Sequence, residues 1–299
     1  MPPTHREPSE PPPPARGALE VAAPRLRCPC CGASLRLADR ALRCARGHSY
    51  DIARHGHVSL AAPRRRLPAG DSEAMVAARV AFLGAGHFAP IARTIAAIAG
   101  EIGATATAPP AWVLDLGAGT GYYLAALLRE LPGWWGLALD ASRPALRRAV
   151  RAHSRIAAVA CDVWQPLPLG DSTVDLAIDV FAPRNGGEIA RVLSAQGTLI
   201  VVTPTPRHLR ELVGAIATLS VDPGKPARVH AKLSPHLEPV QRRQVEFELS
   251  VDHRDIGSLV RMGPSAHHVT PDEVQQRLLL LPNPAVVTAS VIVEAFRHR

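Results

Sequence analysis

Asp115 stands two residues ahead of Gly117-Ala-Gly119-Thr-Gly121, and Asp140 closes the next apolar run, Gly136–Leu139. Three glycines at alternate positions let a backbone bend tightly and lie against a ligand without Cβ interference. The first amides of the helix they open have no intrahelical partner and can bind a carboxylate or another anion. Asp115 would oppose a pyrophosphate but can accept hydrogen bonds from an ammonium or an ordered water. Asp140 falls where a nucleoside-binding α/β sheet places its ribose carboxylate. Position 122 is tyrosine, so the dinucleotide spacing G-x-G-x-x-G is not met. An acid, then G-x-G-x-G, then a second acid one strand later selects S-adenosylmethionine (SAM) over NAD.

A second set of residues could hold a metal. Cys28-x2-Cys31 and Cys44-x3-His48 are two chelating turns about a dozen residues apart. A short hairpin between them would close a tetrahedral Cys3His zinc site. In a reducing compartment such clustering reads as metal rather than disulfide. Cys28-x-Cys30 is too tight for a zinc turn, so Cys31 is assigned as the ligand and Cys30 is left spare. His55 and His57 are read as surface or RNA-side residues. A module this small has little core, so Zn2+ would supply much of its folding energy.

The elements that must position these groups follow from periodicity. Apolar runs at 112–116, 135–139, 156–160, 174–179 and 198–203 read as strands, with helices between them near 122–131, 143–153 and 186–194. Regular alternation predicts a doubly wound parallel sheet, with ligands at strand C-termini. Residues 244–251 and 286–296 read as an antiparallel pair that finishes it. Upstream, helices are expected from Asp71 to about Leu83 and from Ala89 to about Ile102, with His87 and Phe88 in the break, where a side chain can cover a ligand. Thr205–His208 opens a further helix to about Leu219. The expected domains are a disordered Pro-rich tail (1–24), a zinc-binding RNA-recognition module (25–60), a basic linker with two helices (61–104) and a SAM-binding domain (105–299).

Charge is unevenly shared. The formal net charge is +8, and residues 1–70 hold twelve arginines against five acids, so nearly all of it lies in the first quarter. A basic front on a nearly neutral body points to a polyanion, nucleic acid first. The Arg64-Arg65-Arg66 linker suits phosphate contacts or is simply solvated. The first 24 residues carry eight prolines and no apolar run, and no stretch of about 18 apolar residues could span a bilayer. The expectation is a cytoplasmic protein without a membrane span.

Beyond these patterns, specific motifs carry a resemblance. Cys28-x2-Cys31-x12-Cys44-x3-His48-x2-Asp51, Gly70-Asp71-Ser72, Ala81-Phe82-Leu83, Gly86-His87-Phe88, Asp115 to Tyr123, Phe181-Ala182-Pro183 and Thr203-Pro204-x-Pro206-Arg207-His208 closely resemble the 23S rRNA (guanine-N1)-methyltransferase family. The resemblance covers roughly residues 26–297. Asp162-Val163-Trp164, Phe181 to Asn185 and Met262 to Ser265 look most like its Gram-positive branch, associated with resistance to tylosin-type macrolides. It implies a class I SAM-dependent methyltransferase, a Rossmann-like and mostly parallel seven-stranded sheet with a small N-terminal zinc module. It also implies a homodimer whose cleft receives hairpin 35 in domain II of 23S rRNA, methylated at guanine 745 or 748 by branch. Carried over by motif, the zinc ligands are Cys28, Cys31, Cys44 and His48. The SAM contacts are Phe88, the Gly117–Tyr123 loop with Leu124 behind it, and His208. Many relatives have tyrosine where this chain has Phe88, which keeps stacking and forfeits a phenolic hydrogen bond.

Guanine N1 carries a proton at neutral pH, which must be removed or its loss stabilised. Asp179, at the end of the fourth strand, is the first candidate base, followed by His208 and His267. Phe181 and Arg184 are placed to receive an unstacked guanine. The motif of exocyclic-amine methyltransferases is missing at Asp179-Val-Phe-Ala, and Cys161 sits where a small buried residue is expected rather than a C5-pyrimidine nucleophile. A small-molecule methyltransferase with a purely structural zinc site is the alternative, and it would not need charge concentrated at the front.

Overall fold

Strands such as Val113–Leu116 and Ile156–Ala160 offer apolar side chains on both faces, which only a sheet covered on both sides can satisfy. The computed structural model describes residues 15–61, 67–101, 111–213, 224–263 and 270–299. In chain order they form α1 (Ala15–Ala22), β1 (Leu35–Ala38), β2 (Ala41–Cys44), β3 (Ser49–Asp51), β4 (Val58–Ser59), α2 (Glu73–Gly84), α3 (Ala89–Glu101), β5 (Trp112–Leu116), α4 (Tyr122–Glu130), β6 (Trp135–Asp140) and α5 (Arg143–Ala152). There follow β7 (Ile156–Ala160), β8 (Val174–Val180), α6 (Gly186–Val192), β9 (Leu193–Pro204), α7 (Arg210–Val213), α8 (Lys225–Leu233), β10 (Leu237–Val251), α9 (His253–Arg261), α10 (Pro271–Leu278) and β11 (Ala285–His298).

The main sheet runs β10-β11-β9-β8-β5-β6-β7-β4. Neighbours from β4 to β9 are parallel, and β11 and β10 add an antiparallel edge. Strand order reverses between β5 and β8, so the crevice beyond their C-terminal ends is the place for a ligand. One face is covered by α2, α3, α4, α5, α9 and α10, and the other by α1, α6, α8 and the β1–β3 hairpins. Helix starts follow side-chain caps: Ser72 accepts from the Met75 amide, Ser142 from Ala145, Asn185 from Glu188, and Thr270 with Glu273 forms a capping box. Among the described residues no single helix is long and apolar enough to cross a membrane.

Three expectations change. The tail expected to be disordered through residue 24 contains α1, whose Ala18, Leu19 and Ala22 are fully enclosed against the sheet. Burying Leu19 alone contributes roughly 1.5–3 kcal/mol. The module expected over 25–60 packs directly on the main sheet. Its β4 pairs with β7, giving the predicted seven strands an eighth, Leu26 bridges Leu169, and Leu35 and Leu42 share a core with Leu167 and Trp112. Finally, the helix expected after His208 is the short α7, and residues 214–219 lie outside the described set, as do Arg64–Arg66 and His267.

Candidate active site and metal centre

The Gly117–Gly121 turn leaves β5 with all three glycines at positive φ. At Gly117 a Cβ would stand 2.6 Å from that of Ala182, so the turn lies directly against the loop after β8. At Gly119 it would meet only the Arg79 side chain at 3.5 Å, which leaves the ligand side of the turn open to close approach. Gly121 caps α4, which begins at Tyr122. Tyr123 is half-buried, and its enclosed hydroxyl has no hydrogen-bond partner among the described residues. Leu124 is fully enclosed and packs toward Gly136, so it braces the turn from behind rather than facing a ligand.

Asp140 ends β6 and holds the turn in place. Its Oδ2 accepts from the Gly119 amide at 2.8 Å and its Oδ1 from the Ser142 amide at 2.7 Å. Each oxygen keeps a lone pair for a ligand hydroxyl. Arg79, not singled out from the sequence, supports this edge together with Asp71. Arg79 on α2 pairs with Asp71 at 2.7 Å and donates to the Met262 carbonyl at 2.7 Å, and the Asp71 carbonyl accepts from Ser142 Oγ at 2.6 Å. Only Gly70-Asp71-Ser72 was visible as a motif; Arg79 lies in an ordinary helical face and carries no local signal. Beside them a cavity of about 510 Å³, bordered by Asp71, Ser142 and Arg143, adjoins one of about 870 Å³, bordered by Arg27, Asp162 and Leu167. Ala61 and Leu67 border both.

Asp115 lies beneath the turn and is 3 % exposed. Burial first, then the nearby Asp140 and Asp179 charges, push its carboxyl well above the usual carboxylate range. A cationic ligand would relieve this, so the charge pattern fits the ammonium and sulfonium of SAM. The enclosed Tyr123 hydroxyl and the glycine cradle fit the same ligand. The folded value lies above the unfolded one, so this carboxyl's contribution to stability is complete below the unfolded pKa and is lost as pH rises through the folded value. Asp115→Asn is therefore expected to raise the melting temperature of the ligand-free protein at neutral pH and to flatten its decline with rising pH. The same change should weaken SAM binding about 10- to 100-fold, the worth of one hydrogen bond to a charged group. Thermal melts across pH and titration calorimetry with SAM read the two effects.

Beyond β8 and β9 three rings meet. Phe88, 3 % exposed, has its centroid 6.4 Å from Phe181 and 5.8 Å from His208, and Phe181 lies 5.8 Å from His208. Phe181 sits at φ +58, a left-handed conformation that a bulky residue adopts only when its surroundings enforce it. His208 Nδ1 accepts from the Ser290 amide at 3.1 Å, which places the proton of the neutral ring on Nε2. A ring in that tautomer carries no lone pair on Nε2 with which to act as a base. His87, expected over the ligand, instead contacts Asp255 of α9 at 2.6 Å.

Asp179, expected as the candidate base, is placed in a structural pair. It is fully enclosed, and both oxygens are taken by the Arg184 guanidinium, Oδ1 by Nη2 at 2.9 Å and Oδ2 by Nε at 3.2 Å. Arg184 Nη2 also donates to the Ala182 carbonyl at 2.9 Å. This pair braces the Phe181–Arg184 turn, so Arg184 is likewise a strut and does not offer its plane to a guanine. Cys161 is buried, and its thiol is pushed up chiefly by desolvation, as expected of a core residue.

The four metal ligands come together as the sequence predicts. The donor atoms of Cys28, Cys31, Cys44 and His48 lie within 4.8 Å of one another. Cys31 and Cys44 Sγ are 3.8 Å apart, and His48 Nδ1 is 3.5 Å from Cys28 and 3.4 Å from Cys44. With usual Zn–S and Zn–N bonds a tetrahedron has edges of roughly 3.5–3.8 Å, so the donor set fits Zn2+. Burial pushes the Cys28 thiol up, but hydrogen bonds from Tyr50 and the Cys30 and Cys31 amides hold it down at about 6, while Cys31 is raised. Cys30 is exposed, with its Sγ 3.3 Å from the Tyr50 hydroxyl, outside the donor set.

The same two units appear in known proteins. Residues 26–63 match the zinc-ribbon family described as RlmA, N-terminal, and residues 113–197 match the family described as Methyltransferase domain. A Streptomyces fradiae protein named 23S rRNA (guanine(748)-N(1))-methyltransferase is 46% identical over 266 residues, covering 89% of this chain and 94% of its own. A Micromonospora griseorubida protein, named as a candidate 23S rRNA (guanine-N(1)-)-methyltransferase, is 46% identical over 287 residues, covering 92% and 97%. With the Cys3His cluster and the donor turn both in place, the chain belongs to the 23S rRNA (guanine-N1)-methyltransferase family.

Proposed function

We propose that the protein methylates N1 of a guanine in hairpin 35 of 23S rRNA, the base numbered 748 in the name of the Streptomyces relative. The observation that carries this is the joint presence, in one chain of matching length, of the Cys3His ribbon and the Asp115–Gly121–Asp140 site. In the same reading the protein works in the cytoplasm as a homodimer and protects the ribosome from tylosin-type macrolides.

SAM, when bound, supplies a methyl group on a sulfonium, open to in-line displacement. The chain's own part is placement, which can account for much of such a barrier. Asp115, Asp140, the Gly117–Tyr123 turn and His208 hold the donor. Phe88, carried over as a donor contact, adjoins Phe181, on which a guanine taken out of its stack can lie. Asp179 and Arg184 fix the turn that carries Phe181. His208 Nδ1 accepts from the Ser290 amide, so the ring is not the acceptor of the guanine N1 proton, which passes to solvent water.

Primer extension across domain II in a strain lacking the gene tests the reading. Wild-type protein is expected to restore one N1-methylguanine stop, and Gly119→Arg is not, because its side chain would fill the open side of the turn beside Arg79. A stop that persists in the deletion strain would refute the proposal. Methylation of a metabolite at a rate indifferent to salt would favour the small-molecule alternative.

A further inference from the structure

Helix α5 carries Arg143, Arg147, Arg148 and Arg151 and no acidic residue. Arg143, Arg147 and Arg151 are spaced i, i+4, i+8, so they stack on one face about 6 Å apart. Like charges at that spacing destabilise a helix, and a cation in the first turn opposes its dipole. Arg151 in the last turn suits the dipole, but Arg143 and the repulsion along the row do not favour the helix. Among the described residues Glu73 is the one carboxylate that reaches it, an exposed ion pair to Arg147 at 2.9 Å.

The zinc module brings more positive charge to the same place. In the turn between β3 and β4, Arg54 Nε approaches His55 Nε2 at 3.0 Å, and Arg151 Nη2 approaches His55 Nδ1 at 3.3 Å. A neutral imidazole has one acceptor nitrogen, so it cannot satisfy both guanidinium groups. Desolvation and the Arg54, Arg151 and Arg147 charges hold His55 below its usual range. His57 is buried next to this turn, and its Nδ1 has no partner among the described residues. At the other end of the stripe Arg143 borders the cavity beside Asp71 and Ser142. The row thus runs from the cofactor edge of the sheet down to the seam with the ribbon.

We propose that Arg143, Arg147 and Arg151 of α5, with Arg54 and His55 of the ribbon, form a track for consecutive phosphates of one RNA strand. The inference rests on the rRNA reading above and extends the RNA surface from the ribbon onto the catalytic domain. Two donors aimed at one imidazole, with the acid-free helix face beside them, gain acceptors when phosphate oxygens lie across them. These contacts position the RNA and carry no sequence information.

The test measures binding of a domain II 23S rRNA transcript against salt concentration, for the full chain and for the Arg147→Gln/Arg151→Gln and Arg54→Gln variants. Zinc content and SAM affinity equal to wild type certify the fold; the double variant leaves the ribbon untouched should Arg54→Gln disturb it. Loss of the exposed Glu73 pair is of little consequence to stability. The slope of log K against log salt is expected to become shallower by roughly 0.7–0.9 for each phosphate contact removed. KM for RNA should rise while kcat is retained, and Arg147→Lys/Arg151→Lys should recover most of the slope. A steep wild-type slope left unchanged in both glutamine variants would overturn the track. A flat wild-type slope would overturn the rRNA reading itself and the track with it.

Discussion

Cys31→Ser is expected to remove the zinc and unfold residues 26–60 while leaving SAM binding within a few-fold of wild type. A structural zinc contributes about 10–16 kcal/mol to folding in zinc-finger peptides, far more than the ribbon's few apolar residues can replace. Leu26, Leu35 and Leu42 are buried, but against Leu167, Leu169 and Trp112 rather than a core of their own. Loss of the metal should therefore also loosen β4 from β7 and turn Arg54 and His55 away from α5. The donor site stands apart from this damage, because β5, α4 and β6 hold it through Gly119, Asp140 and Ser142. Metal analysis by mass spectrometry, calorimetry with SAM and methylation of domain II RNA separate the three effects. Full zinc content in the variant would show that Cys30 can take the fourth position, despite lying beside Tyr50 and away from the cluster.

The parts of this protein legible in its sequence are those where local chemistry decides the outcome. The interior strands β5, β6 and β7 read as apolar runs because they are covered on both faces, and the observed bounds agree closely with 112–116, 135–139 and 156–160. The zinc ligands were legible from spacing, since chelation itself fixes it. The two-residue β4 was not, because nothing in Val58-Ser59 says strand until β7 offers its edge. Helix α1 was hidden by the prolines before it, and its burial depends on β7, more than 130 residues later in the chain. β9 begins at Leu193, five residues earlier than its apolar run suggests, with a register shift in its pairing to β8 between Val174 and Leu176. Most telling is Asp179, which as a residue at a strand end is equally suited to proton transfer and to structure. Only the fold shows that the chain reverses at Phe181 and returns Arg184 onto both of its oxygens.

Asp179→Asn provides the strongest test of that assignment, with an expected loss of about 3–5 kcal/mol. Removing one member of a buried ion pair leaves the other uncompensated, and Arg184 is 4 % exposed with an Nη1 that already has no partner among the described residues. For a protein of this size the melting temperature should fall by roughly 2–4 °C for each kcal/mol. Activity should fall too, because Phe181 holds its left-handed conformation only while the pair ties Asp179 to Arg184 and the Ala182 carbonyl. A lost base would also cost activity, about 10²- to 10⁴-fold in kcat, so rate alone does not discriminate. Asp179→Leu/Arg184→Met does. Replacing both charges with apolar groups of similar volume removes the uncompensated guanidinium and is expected to recover most of the stability. If Asp179 is a strut, the double variant regains activity along with its fold, and its kcat keeps the wild-type dependence on pH. If Asp179 takes the N1 proton, stability returns without activity, and the rise of kcat with pH disappears in both variants.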